Sequence, residues 1–437
     1  MTRVPAPFDA RGVRALRAAL IVALLLRAAF GLFYWTGKPL THDEREYLAL
    51  AYNLVAGRGF IQDLPDQPKH PLVQQYGRAP IYPLFLTPLV WTDATWRSGQ
   101  PMSEVPAAIK LAQSIVGTFS VYLLALLAAR AAGARAGVMA GWIAALYPPL
   151  LWMCAYALSE TLFTCLALSC VALLGGVLDR AEDARRPGAA RRVLLGGLVA
   201  GVAILTRPAM LFFMPLEALL AWRRRFAYAV LLAVGSLIVV APWIARNFAT
   251  YHKFVLVASD GGVTFWTGNH PQATGEGDLA ANPHLKRLNV ELRARYPGQT
   301  EEQLEAVYYR EAFQFIREHP GQWAWLMVKK AFYTWIPLGP SYRLHSPRYF
   351  WASVLSYGAL LPFAVIGLAR LLKSSPPWSV LWLALSAALV CLVFFPQERF
   401  RIPVIDPAVI VCAAVALAAF GRSRRDVATS GPIADNG

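Results

Sequence analysis

The chain has 437 residues, 57% of them hydrophobic and only 16% charged, and a mean hydropathy of +0.42. That composition excludes a soluble globule, and several apolar runs are long enough to cross a hydrocarbon layer of about 30 Å, so the chain reads as an all-α polytopic membrane protein. The net charge of +16 does not point to nucleic acid, because Lys and Arg fall in short blocks between apolar runs, where they set topology.

The first apolar stretch, 16–36, lacks a small-residue cleavage site and reads as an uncleaved anchor. Scoring basic blocks as cytoplasmic, Arg11, Arg14 and Arg17 place its start inside and the polar stretch 37–107 outside. A helix over 108–129 returns to Arg130 and Arg135. Another, 137–151, goes out to the turn at Tyr147 to Pro149, and 157–178 comes back to "RAEDARRPGAARR". Basic residues flank the apolar stretch 193–222 on both sides, which predicts two shorter helices broken at "TRP", Thr206 to Pro208, with Arg207 at the apex. A span over 226–245 leads to a second polar region, 247–321, with one helix capped by Thr300 and Gln303 and ended by Pro320. The aromatic run 323–338 carries Lys329 and Lys330 in its middle and reads as an interfacial helix. Spans at 350–370, 380–396 and 402–420 bring the total to about ten, with both termini cytoplasmic. The organisation is a membrane module, 1–246, an outer and interfacial region, 247–338, the last spans, 339–425, and a tail, 426–437, that reads as disordered.

The five cysteines, Cys154, Cys165, Cys170, Cys391 and Cys412, lie in or beside apolar runs without paired loop spacing, and read as small core residues.

The stretch "LTHDEREYLAL", residues 40–50, sets Asp43 and Glu44 side by side in a chain poor in charge. Thr41 and Glu44 fit a capping box, which is the structural reading of these acids. At about 100° per residue, however, Asp43 aligns with Tyr47, Leu50 and Leu54, and Glu44 with Leu48, Ala51 and Val55. Carboxylates along an apolar stripe at a membrane interface are costly, which favours a functional reading for both. A carboxylate there suits the deprotonation of an attacking hydroxyl. If the electrophile is a sugar on a lipid phosphate, the departing anion needs fixed cations at the same depth. Arg78, Arg207, Arg399 and Arg401 are the candidates. Arg27, midway along the first helix, is expected to pair with Glu160.

In order, "HDEREY", "GRAPIYPLFL", "LSETLF", "LTRPAMLFFMP", "PWIARNF", "GNHPQATG" and "RFRIPVIDP" resemble the bacterial glycosyltransferase family 39, over about residues 10–420. These enzymes have the GT-C fold and are relatives of the protein O-mannosyltransferases and the lipid A aminoarabinose transferases. The resemblance implies an inverting, metal-independent transfer of one sugar from a polyprenyl phosphate carrier on the periplasmic side of a bacterial inner membrane. The acceptor would be a lipid, a glycan or a protein. Asp43 matches the family's catalytic aspartate, and Arg207 the basic residue that meets the carrier phosphate. One departure stands out: the aminoarabinose branch reads D-E-x-R-Y, and Glu46 occupies the place of that Arg.

In the outer region, Gly261 and Gly262 allow tight turns, while Trp266, Asn269 and His270 offer stacking and hydrogen bonds to a sugar ring. Tyr47 and Tyr82 join them as candidate sugar or acceptor ligands. His42 beside Asp43 lacks a second ligand set, so no metal site and no cofactor are expected. Two rival functions are an O-antigen polymerase and a lipid-linked sugar flippase or transporter. A transporter would place its ionisable residues near the midplane of broken helices. A polymerase of lipid-linked sugars is expected to rest on arginine-bearing loops without an acidic pair after the first span, so Asp43 discriminates.

Overall fold

The structure is a computed structural model and describes residues 8–61, 78–91, 103–252, 254–258, 260–277, 279–299, 303–340, 346–374 and 376–429. Much of the first outer loop, the Thr300 capping position and the tail from 430 lie outside these residues. Among the described residues every regular element is a helix.

The anchor is α1, Ala10–Ala29, which Asp9 caps by accepting from the Gly12 N–H at 2.7 Å and which ends in a π turn at Phe30–Tyr34. Two helices of the first outer loop follow, α2 at His42–Val55 and α3 at Ile81–Val90. Next come α4, Ala107–Ala132, and α5, Ala134–Leu146, joined at Gly133, whose φ of +92° no β-carbon-bearing residue takes readily. The chain then breaks at Tyr147, as "YPP" predicts, and bends by 62° into the short α6, Pro148–Trp152. Then comes α7, Glu160–Leu178.

The stretch 193–222 divides as expected. The helix α8, Ala189–Ile204, stops short of Arg207, a 3-10 turn runs over Pro208–Phe212, and α9 takes up Phe213–Arg224. The long α10, Phe226–Tyr251, packs on α8 through glycines. A β-carbon on Gly197 would sit 2.6 Å from the Leu232 carbonyl, and one on Gly235 would sit 2.7 Å from the Leu194 carbonyl, so the two backbones approach only because both positions are bare.

The outer region holds α11, Gly261–Gly268, α12, Pro283–Ala294, and α13, Glu305–Glu318, around a small core of Trp266, Leu285, Leu292 and Tyr308. Sequence reasoning found one helix here and missed two: Gly261 and Gly262 open α11 instead of the tight turns expected of them, and α12 is started by Pro283 with Asn282 as its cap. Pro320 ends α13 but also opens α14, Pro320–Trp335. That helix buries Leu326, Lys330 and Thr334 and exposes Trp325, Val328, Phe332 and Trp335 along the opposite side. The chain closes with α15, Pro347–Lys373, α16, Trp378–Val393, the short α17, Glu398–Arg401, and α18, Ile405–Thr429, which runs into the stretch expected to be disordered.

Five described helices are long and apolar enough to cross a membrane, six if the bent pair at Tyr147 counts as one, with three shorter apolar helices beside them. The helices α4, α5, α7, α8, α16 and α18 share one continuous core. The cluster on α2 and α3 is separate and packs against the first turn of α4 and the turn before α7.

Candidate active site

Thr41 and Glu44 fix the start of α2. The Thr41 hydroxyl accepts from the Glu44 N–H at 3.4 Å, and Glu44 Oε2 accepts from the Thr41 N–H at 2.8 Å. Glu44 Oε1 accepts from the Ala157 N–H at 2.9 Å, tying α2 to the turn before α7. With both oxygens held by backbone amides, Glu44 serves as a cap and clamp of α2, and it is Asp43, not Glu44, that lines the cavity described below. Burial pushes its carboxyl above the ordinary value, against the pull of these bonds.

Asp43 lies one position along and stays partly open, at 22% side-chain exposure. Arg78 Nη2 donates to its Oδ1 at 2.7 Å and Arg399 Nη1 to its Oδ2 at 2.6 Å. Arg78 also donates from Nε to Glu46 at 2.7 Å and lies 5.2 Å from the centre of the Tyr47 ring. Arg399 continues to Glu160 Oε1 at 2.7 Å, where Arg207 joins at 2.8 Å. Acid and base thus alternate from Glu46 through Arg78, Asp43, Arg399 and Glu160 to Arg207. Burial alone would raise the Asp43 carboxyl, but the two guanidiniums outweigh it and hold the group far below the ordinary carboxylate range.

This network forms one wall of a cavity of about 350 Å³. Asp43, Tyr47, Arg78, Arg207 and Arg399 line it, together with Asp260 from the outer region and the rings of Phe212, Phe394 and Phe400. The break at Arg207 is what brings its guanidinium here, between Phe163 and Phe400 at 6.0 and 5.5 Å. Charged groups face an apolar wall, as suits a ligand with a phosphate and a hydrocarbon chain.

The remaining expected residues lie elsewhere. Arg401 pairs with Asp406 at 2.9 Å and lies 4.1 Å from the Tyr357 ring centre, inside the bundle rather than with the other arginines. Tyr82 is fully buried and donates to Gln113 at 3.0 Å. Trp266 is 1% exposed and donates to Glu311, and Asn269 accepts from Lys330 and Trp323, so both serve the fold of the outer region. The His270 ring lies tilted against Trp266 with ring centres 4.6 Å apart, and burial and the neighbouring His284 push its imidazole down to about 4. Arg27 does not meet Glu160. It donates to the carbonyls of Ala144 and Ala145 at 3.0 and 3.3 Å, where the end of α5 leaves them without helical partners. That releases Glu160 for Arg207 and Arg399, a role the sequence signalled only as an acid opening an apolar helix. Asp260 was missed, because nothing local marks it. Among the described residues no cluster of His, Cys, Asp or Glu suits a metal ion.

No family model matches the chain, and no curated protein matches it either. Solved structures do. The archaeal oligosaccharyltransferase AglB from Archaeoglobus fulgidus, in complex with an inhibitory peptide and a dolichol-phosphate, is similar with a TM-score of 0.56 and 14% identity, over 98% of this chain and 52% of its own. The A. fulgidus oligosaccharyltransferase in the apo form gives 0.54 at 15% identity, over 95% and 52%. ArnT from Cupriavidus metallidurans, bound to undecaprenyl phosphate, gives 0.40 at 16% identity, over 96% and 80%. The chain has the GT-C fold, that of a polytopic membrane protein. It spans about half the length of the oligosaccharyltransferases it resembles.

Proposed function

We propose that this protein transfers a single sugar, with inversion, from a polyprenyl phosphate carrier to an acceptor hydroxyl on the periplasmic face, with Asp43 as base. The observation that carries the reading is the convergence of Asp43, Arg78, Arg399 and Arg207 on one cavity with an apolar wall. The acceptor oxygen attacks the anomeric carbon, the bond from that carbon to the phosphate oxygen breaks, the acceptor proton passes to Asp43, and polyprenyl phosphate leaves as an anion. Arginines stabilise that developing charge, and their planar forks suit phosphate oxygens.

The ion pairs bear on the order of events. With both arginines on it, Asp43 is a poor base, since its carboxylate is held far below the ordinary range. A donor phosphate competes for the same guanidiniums. As they turn to it, the cause of the depression weakens and Asp43 gains basicity where the acceptor hydroxyl arrives. The dolichol-phosphate in the AglB complex lends support, as a polyprenyl phosphate held by a protein of this fold.

The test is reconstitution with undecaprenyl phosphate-linked sugars, scoring released carrier and glycosylated acceptor by mass spectrometry. Lipid A, O-antigen and envelope glycoproteins from a deletion strain supply the acceptors to try. Joining of one lipid-linked chain to another, with release of the first chain's carrier and no monosaccharide donor present, or movement of a lipid-linked sugar across vesicles without transfer, would replace this reading with a polymerase or a flippase.

A further inference from the structure

A second cavity, of about 250 Å³, lies at the opposite end of α7 from the Asp43 network. Glu160 opens α7 and Asp179 follows its last residue, so the two places are about 28 Å apart at 1.5 Å per residue. The wall carries Arg130, Arg180, Arg186 and Arg192 beside Asp179 and Asp183. Both acids are engaged. Asp179 accepts from the N–H and hydroxyl of Ser379 at 2.9 and 3.1 Å, and Asp183 pairs with Arg186 at 2.9 Å.

Arg130, in the last turn of α4, and Arg192, in the first turn of α8, converge on the Ala172 carbonyl at 2.6 and 3.5 Å. Arg192 also donates to the Gly176 carbonyl at 3.2 Å. Gly176 makes the room: a β-carbon there would collide with Arg192 Nη2 and lie 3.3 Å from Arg130 Nη1. Among the described residues neither guanidinium makes an ion pair. Two like charges held at one carbonyl repel each other, and carbonyls occupy only part of the five donors each guanidinium carries. An anion between them would cancel the repulsion and engage the remaining N–H groups, and guanidinium forks match phosphate geometry.

We propose that this cavity binds a phosphate group, with Arg130 and Arg192 as its ligands. Free phosphate and the phosphodiester headgroup of an anionic lipid share that chemistry, and the position at helix ends is open to both. The site stands apart from the Asp43 cavity and does not depend on the glycosyl-transfer reading.

The test follows the melting temperature of the full chain as inorganic phosphate is titrated in detergent, then in phosphatidylcholine nanodiscs with and without phosphatidylglycerol. Four proteins are compared: wild type, the Arg130→Gln and Arg192→Gln pair, the Arg130→Lys and Arg192→Lys pair, and Arg223→Gln as an exposed basic control outside the cavity. Stabilisation by inorganic phosphate, weakened tenfold or more in the Gln pair and kept by Arg223→Gln, supports a free-phosphate site. The same ranking seen only with phosphatidylglycerol supports a lipid headgroup. The Lys pair is expected to fall between wild type and the Gln pair. No response to either anion, or a Gln pair that responds like wild type, overturns the site. Should the Gln pair not fold, Arg192→Gln alone carries the comparison, since it leaves Arg130 bonded to Ala172.

Discussion

Arg399 Nη1 donates to Asp43 Oδ2 at 2.6 Å across 356 residues of chain, joining the short α17 to the first turn of α2. The base candidate and a phosphate candidate are therefore one ion pair in the resting protein.

Replacing Asp43 by Asn removes the proton acceptor while keeping the shape. Transfer by Asp43→Asn is expected to fall by about 10²-fold or more, with expression and donor binding retained. Initial-rate assays beside donor-lipid binding check this, and near-normal turnover removes Asp43 from the base role.

The same ion pair has a pH signature. Arg78 and Arg399 depress the folded-state value of Asp43, so the stability it contributes is fully present above the unfolded carboxyl value, about 3.9. That stability is lost as pH falls from there toward the folded value. Melting temperatures from about pH 5 down to pH 2 should diverge below about pH 4, falling more steeply for wild type than for Asp43→Asn, and parallel curves there would contradict the pairing.

Arg207 shares Glu160 with Arg399, so its removal leaves that acid with one partner. Arg207→Ala is expected to weaken donor binding by roughly 2 to 5 kcal/mol, and Arg207→Lys to recover part of the loss. Donor affinity measured beside thermal stability separates this from a structural role. A folding defect rescued by Glu160→Gln, with affinity unchanged in the folded fraction, would make Arg207 structural.

Glu44 should behave in the opposite way. Glu44→Ala leaves the N–H groups of Thr41 and Ala157 without acceptors, a loss of about 1 to 3 kcal/mol for each group that stays buried. Thermal stability is expected to drop, while the rate per folded molecule changes far less than in Asp43→Asn. A rate loss equal to that of Asp43→Asn in a stable protein would return Glu44 to the chemistry.

Topology is open to labelling. Lys286 in α12 and Arg185 beside the second cavity are both exposed. Lys286→Cys should react with an impermeant thiol reagent applied from the periplasm and Arg185→Cys should not. Reversed labelling would put the Asp43 cavity on the cytoplasmic side.

Local signals carried much of this fold. Apolar runs marked where the long helices lie, though among the described residues five or six, and not about ten, are long and apolar enough to span. The proline after Arg207 marked the broken helix, and Thr41 with Glu44 marked the capping box that the structure contains. They carried this far because helix formation and membrane partition act over one or two dozen neighbouring residues. Pairings between distant segments were another matter. Arg27 and Glu160 were matched by sign and depth, yet Arg27 meets the end of α5 and Glu160 meets Arg207 and Arg399. Arg399 and Arg401 stand two residues apart in one short helix, but only Arg399 reaches Asp43, while Arg401 turns to Asp406. Trp266 and Asn269 had the chemistry of sugar ligands and became core, since burial depends on what α13 and α14 bring against them. Sequence lists the charges and the lengths of the helices; which charge neutralises which is decided by packing, because a buried ion takes the nearest partner the whole bundle supplies.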